Sequence, residues 1–229
     1  MNKIVFCKTK GGTGATMLAC NCAAMRSKSI DLFFIDGDDQ ETATQFTAMR
    51  NETTDDNAGY TTAQITEKAL RTESLKLSKH YEIIIDTGGR DTKSLRAALS
   101  IATKAIIPFV PAAFDMWTYN IIEEIVEEAQ QINPDLEAFS VLNKIDAPRN
   151  SNGELKYSSD TETAINFLKY IDSDKEKGER TTIKYLHAPI VYRKAFRDAS
   201  ADGLSVVEVD KKDKKAISEI TALYDKIFN

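Results

Sequence analysis

The run from Lys8 to Thr16, Lys-Thr-Lys-Gly-Gly-Thr-Gly-Ala-Thr, constrains this chain more than any other stretch. Before it stands a short apolar segment, Ile4 to Cys7, that reads as a buried strand. After it, Met17 to Met25 is small and apolar enough to be a buried helix. A strand, a glycine-rich loop and a helix in that order let backbone N–H groups converge on a phosphate. The usual phosphate loop is Gly-x-x-x-x-Gly-Lys-Ser/Thr. Here Thr9 takes the place of the first glycine and Gly14 is the second. Ala15 stands where the lysine belongs, and Thr16 is the hydroxyl on the magnesium side. The loop is recognisable, and its central cation is missing.

Later apolar runs also end in chemistry-bearing residues. Asp31 to Asp36 reads as a buried strand and leads into Asp36-Gly-Asp38-Asp-Gln40. Tyr81 to Asp86 is another, followed by Thr87-Gly-Gly. Lys104 to Pro111 is a third, and Glu137 to Leu142, ending in Asn143-Lys-Ile-Asp146, a fourth. In an open parallel sheet, ligands bind outside the carboxyl ends of the strands, so these residues are expected in one crevice with the loop. Asp86 suits a carboxylate that holds magnesium through a water.

The segments between strands carry helical spacing. Helices are predicted over 65–77, 94–102, 119–132, 161–171 and 214–228. Their inward faces are Ile65, Ala69, Leu70 and Leu77 in the first, and Ile121, Ile122, Ile125, Val126, Ala129 and Ile132 in the third. Residues 41–62 read as a short helix and a polar loop, 150–153 as a turn and 172–182 as an exposed loop. Ile183 to Leu186 is a last short strand. The expected architecture is a single α/β domain over 1–229, doubly wound, with a mainly parallel sheet flanked by helices.

A net charge of −5 confines any nucleic-acid binding to a local basic patch. Cys7, Cys20 and Cys22 have apolar neighbours and read as buried free thiols, as in a reducing compartment. Met1-Asn-Lys3 leads straight into a strand, and no apolar run reaches the roughly 18 residues of a membrane span, so the expected location is cytoplasmic.

Lys10-Gly-Gly-x-Gly, Asp36-x-Asp38-x-Gln40 and Ile85-Asp86 together resemble the deviant phosphate-loop ATPases of the ParA/MinD family, above all the small plasmid-partition ParA proteins. The resemblance covers nearly the full chain and implies a P-loop NTPase fold of the SIMIBI kind, binding ATP or ADP with Mg2+. It implies a homodimer through bound nucleotide, with Lys10 reaching the partner's phosphates and Asp38 acting on the attacking water. Nucleotide would lie on Lys10, Gly11, Gly12, Thr13, Gly14, Ala15, Thr16 and Met17, with Asn143 at the base and the loop of Pro189 over it. Thr16, Asp36 and Asp86 would serve the metal. The basic run Arg193, Lys194 and Arg197 would contact non-specific DNA, placing the protein on the nucleoid beside a centromere-binding adaptor. Departures from the family pattern are Ala15 for lysine, Asp39 and Gly88 for proline, and Met17 for threonine. Ala15 predicts weak nucleotide binding, poor dimerisation and impaired hydrolysis. Phe114 to Trp117 are expected to open the dimer-facing helix. The alternatives are a MinD-like positioning factor at a membrane, with 214–228 as its anchor, and a nucleotide-binding scaffold without hydrolysis. No stable membrane association is expected, since that helix follows no flexible linker.

Overall fold

The computed structural model describes residues 1–8, 10–54, 57–89, 92–111, 116–146, 156–173, 182–210 and 213–229. Thr9, Phe114, Asp115, the turn at 150–153 and most of the loop at 172–182 lie outside them, as do the side chains of Met116 and Trp117. In chain order the elements are β1 (Lys3–Lys8), α1 (Ala15–Arg26), β2 (Leu32–Gly37), α2 (Thr42–Thr53), β3 (Thr61–Gln64) and α3 (Glu67–Leu77). There follow β4 (Glu82–Gly89), α4 (Lys93–Leu99), β5 (Lys104–Phe109), α5 (Met116–Ile132) and β6 (Glu137–Leu142). The last are α6 (Ser159–Ser173), β7 (Ile183–Tyr185), α7 (Lys194–Ala201) and α8 (Lys214–Phe228).

The strands form one seven-stranded sheet in the order β3-β2-β4-β1-β5-β6-β7, and every pairing is parallel. Parallel strands are covered on both faces, which is why β1, β2, β4 and β5 are almost continuously apolar. One face packs Val5, Ile35, Ile83, Ile85 and Ile107 against α3, α4, α5 and α6, through Leu70, Leu95, Ile122 and Leu168. The other packs Ile4, Phe6, Phe34 and Ile84 against α1, α2, α7 and α8, through Leu18, Phe46, Phe196 and Ile220. The free thiols Cys7, Cys20 and Cys22 are all buried in these layers.

Three expectations are corrected. Thr61 and Thr62, expected in a polar loop, instead open β3 (Thr61–Gln64), a polar edge strand paired with β2. Ala69 and Ile121 face solvent, as does Ile132 at 72 % exposure in the last turn of its helix. The buried stripe of α5 is the narrower set Ile122, Ile125, Val126 and Ala129. α8 buries Ala216, Ile220, Leu223 and Ile227 against the body, and Lys104 Nζ donates to the Ile227 carbonyl at 2.5 Å, a cation at the negative end of the helix.

Candidate phosphate-loop site

β1 is the switch point of the sheet: β4 and β2 lie to one side, β5 and β6 to the other. The loop after β1 therefore meets the carboxyl ends of β2, β4 and β6. Gly12 and Gly14 adopt φ of 85° and 84°, a left-handed conformation that suits glycine. Gly14 caps α1 without any side-chain acceptor, so the first N–H groups of the helix are offered to the cleft. That cleft has a volume of about 620 Å³ and is bounded by Gly11–Met17 together with Lys8, Asp38 and Gln40.

At its floor, Thr16 Oγ1 donates to Asp86 Oδ2 at 2.7 Å. Asp86 is completely buried, and its other oxygen, Oδ1, has no hydrogen-bond partner among the described residues. Burial pushes this carboxyl up, against the opposing pull of Lys8 and of the Thr16 hydroxyl. An orphaned carboxylate oxygen beside a threonine hydroxyl fits magnesium, which takes one or two protein oxygens and draws its other ligands from phosphate and water. Among the described residues no group of three or more His, Cys, Asp or Glu is placed to hold a metal by itself.

A cation absent from the sequence-based site lies here. The Lys8 ammonium forms an ion pair with Asp38 Oδ2 and stands 3.5 Å from Asp86 Oδ2. Burial alone lowers its affinity for a proton, but the charges of Asp86 and Asp38 outweigh that and hold it above the ordinary lysine value. Asp38 Oδ1 accepts from Gln40 N at 3.2 Å, and a Cβ on Gly88 would come within 3.2 Å of that oxygen. The glycine at 88, in place of the family's proline, leaves room for Asp38.

Asp36, expected near the metal, is held by donors of its own. It is fully buried, and its two oxygens accept from Asp38 N at 3.1 Å, Thr44 N at 2.8 Å and Thr44 Oγ1 at 2.9 Å. With those donors it fixes the turn after β2 and the first turn of α2, while Asp38 lines the cleft. Asn143 is also fully buried: its amide donates to Thr13 O at 2.7 Å and its oxygen accepts from Lys144 N at 2.9 Å. Lys144, at a left-handed φ of 55°, reaches back to donate from Nζ to Gly12 O at 2.7 Å. Both residues thus brace the phosphate loop from the end of β6. Lys10 is half-buried, and its carbonyl accepts weakly from Thr13 Oγ1 at 3.4 Å.

Pro189 is not brought to the loop. It lines a cavity with Tyr157, Lys169, Tyr185 and His187 that shares no residue with the loop cleft. Backbone pairing explains this: Ile190 N donates to Leu142 O, Ile145 N to Ile190 O and Tyr192 N to Ile145 O, so the chain stays tied to β6 beyond β7. It comes beside the phosphate loop from Val191 onward: Val191 to Arg193 border a hollow of about 320 Å³ with Gly14, Met17 and Asn143, and Ser200 and Ala201 border the loop cleft itself. The residues of the basic run differ in their surroundings. Arg193 is committed to Glu219 through a bidentate pair, with Nε donating at 3.0 Å and Nη2 at 2.5 Å. Lys194 and Arg197 remain exposed, at 3.3 and 3.8 Å from Asp198.

No protein-family model matches the chain. In sequence it is similar to the Maintenance of carboxysome distribution protein A of Halothiobacillus neapolitanus, at 23 % identity over 226 residues, spanning 95 % of this chain and 92 % of that one. In structure it is similar to apo McdA of Cyanothece, with a TM-score of 0.76 at 16 % identity and 99 % of both chains covered. It is also similar to a plasmid partition protein of Borrelia burgdorferi bound to AMPPNP, with a TM-score of 0.68 at 17 % identity, covering 99 % and 98 % of the two chains. In its fold, and in sequence over nearly its whole length, the chain is thus similar to the ParA/MinD-family ATPases.

Proposed function

We propose that the protein is an ATPase that dimerises on nucleotide and uses the cycle to position a cargo. The observation that carries this reading is the floor of the cleft: the Thr16–Asp86 pair, with an unpartnered carboxylate oxygen, beneath the N-terminus of α1 and beside Asp38. Phosphate oxygens accept from the backbone of Gly11 to Met17, a contact that the helix dipole favours. Magnesium, when bound with the nucleotide, supplies neutralising charge, and Thr16 and Asp86 are the residues to hold it. The base occupies the hollow between Met17 and Val191–Arg193, on the far side of Gly14. Asp38 orients the attacking water and accepts its proton. Attack on the γ-phosphorus breaks the bond to the bridging oxygen and releases ADP and phosphate. Lys10 of each protomer reaches the other's phosphates, so the triphosphate favours the dimer, and its loss removes that preference.

For the cargo, the resemblance to partition proteins supports DNA segregation through a centromere-binding adaptor. The relative named for carboxysome distribution supports a protein cargo on the same architecture. The DNA surface in either case is Lys194 and Arg197, without Arg193.

The test of the activity is nucleotide titration and turnover. ATP binding with micromolar to millimolar affinity, and an Asp38→Ala variant that binds but does not hydrolyse, support the reading. The absence of any ATP binding, or unchanged turnover in Asp38→Ala, rules it out. For DNA, a Lys194→Ala/Arg197→Ala double variant should bind more weakly with a shallower salt dependence. Identical salt curves would remove DNA from the proposal.

A further inference from the structure

We propose that Lys8 supplies, from the end of β1, the cation that a lysine at position 15 supplies in an ordinary phosphate loop. Its ammonium, held by Asp38 and Asp86 in the structure, is the group that contacts the terminal phosphate of a bound nucleoside triphosphate. The inference rests on the nucleotide reading of the cleft and adds to it the residue that discriminates triphosphate from diphosphate.

Four observations carry it. Ala15 is fully buried and ends in a methyl group, so position 15 contributes no charge. Lys8 borders the same cleft as Gly11 to Met17, and its side chain is only 14 % exposed, so the ammonium sits inside the site rather than over bulk water. The ammonium and the Thr16 hydroxyl share one oxygen, Asp86 Oδ2, at 3.5 and 2.7 Å. The cation is therefore one carboxylate away from the hydroxyl that marks the phosphate end of the loop. Finally, Asp38 and Asp86 bring two carboxylates to a cleft meant for a polyanion, and Lys8 pairs with both. Without that cation the carboxylates would repel a terminal phosphate. Lys144 is placed otherwise: its Nζ is committed to the Gly12 carbonyl on the rim.

The exchange has a consequence for catalysis. While Lys8 is bound to Asp38, that carboxylate is occupied and poorly placed to receive a proton from water. A terminal phosphate that draws Lys8 toward itself releases Asp38 to the water and Asp86 to its other ligands. Triphosphate binding and the arming of Asp38 are then one event, and a diphosphate does not trigger it. On this reading Ala15 is compensated, and the chain is not impaired for want of a cation.

The experiment is calorimetric titration of the full chain with AMPPNP and with ADP, both with magnesium. The variants are Lys8→Met, Lys8→Arg, Ala15→Lys and the Lys8→Met/Ala15→Lys pair. Loss of a charge-assisted contact predicts about a ten- to hundredfold weaker AMPPNP affinity in Lys8→Met, with ADP changed less than about threefold. Lys8→Arg keeps most of the affinity, and the pair of substitutions restores it. In the parent background Ala15→Lys gains less than about threefold, because the contact is already made. This last comparison stands even if Lys8→Met does not fold. Unchanged AMPPNP affinity in Lys8→Met, an equal loss for ADP, or a tenfold or greater gain from Ala15→Lys in the parent overturns the proposal. A parent that binds neither nucleotide overturns the nucleotide reading itself, a different result from all of these.

Discussion

Replacing Asn143 by alanine separates a brace from a base contact. The side chain is fully buried and makes two hydrogen bonds, to Thr13 O at 2.7 Å and from Lys144 N at 2.9 Å. Two neutral hydrogen bonds contribute about 1 kcal/mol each to stability. Thr13 is itself buried, so its carbonyl is left without a donor, which costs about a further 1–3 kcal/mol. Lys144 also loses the acceptor that holds its N–H while it sits at a left-handed φ of 55°, a conformation unfavourable for a side chain with a Cβ. Some bonds are recovered by water, so the expected loss is about 2–4 kcal/mol. That is a large share of the roughly 5–15 kcal/mol that holds a domain together. In urea the unfolding midpoint should fall by about 1 M, with an unchanged slope. Asn143→Asp should be no better, because a carboxylate turned toward the Thr13 carbonyl replaces a donor by a charge. Nucleotide affinity should drop for every base alike, since what is lost is the shape of the loop. An Asn143→Ala variant within about 0.5 kcal/mol of the parent, with altered base preference alone, refutes the brace and restores the base contact.

Asp36→Asn should cost about 1–2 kcal/mol by weakening the contacts to Thr44 and Asp38 N, with the magnesium dependence of nucleotide binding unchanged; a shifted magnesium requirement would return Asp36 to the metal. Arg50 is 4 % exposed and paired with Glu208 at 2.7 Å, so Glu208→Gln strands a buried guanidinium and should cost about 3–5 kcal/mol near neutral pH. Burial raises the Glu208 carboxyl, but hydrogen bonds from Arg50 and Ser205 N more than reverse this and hold it below its ordinary value. Its contribution is therefore complete above the ordinary carboxylate value of about 4.3 and fades as the pH falls through the lower folded value, so parent and variant should converge in stability in acid; a gap that persists there contradicts the assignment. Leu223→Ala on the packed face of α8 should cost about 2–5 kcal/mol, and the parent should not co-sediment with anionic vesicles. Vesicle binding by a fully folded parent would show that α8 leaves the body and would favour the membrane alternative.

How much of this was readable from sequence follows from which physical terms are local. β1, β2, β4 and β5 announce themselves because a strand covered on both faces must be apolar throughout, and Gly12 and Gly14 because a left-handed backbone asks for glycine. β3 is silent: its short, polar Thr-Thr-Ala-Gln carries no apolar run, although Thr62 Oγ1 adds a bond to Phe34 O at 2.8 Å beside the backbone pairing. Asp36 and Asp38 share one motif, and only the path of the chain decides which turns into the cleft and which is used up by Thr44. Pro189 belongs to a segment tied to β6 by backbone pairing, and the chain comes beside Gly14 and Met17 from Val191 onward, a path that no local pattern marks. Lys8 was invisible because its partners are 30 and 78 positions away, on strands whose neighbours are fixed only by the fold.

The sheet order has a temporal side. β1 precedes the other strands of the sheet in the sequence and lies at its centre, yet its two neighbours are β4 and β5, whose sequences begin at residues 82 and 104. Until β4 is complete at Gly89, a growing chain therefore carries β1, apolar from Ile4 to Cys7, without either of its neighbours. Closing those long loops comes before any reward from pairing, which makes such topologies slow to fold and prone to association while they wait. The phosphate loop waits longer still, because Asn143 and Lys144, which brace it, follow β6. Truncations that stop before residue 143 keep the sequences of β1 to β6 but lack both braces, and should emerge with a slack loop, dependent on chaperones rather than on nucleotide.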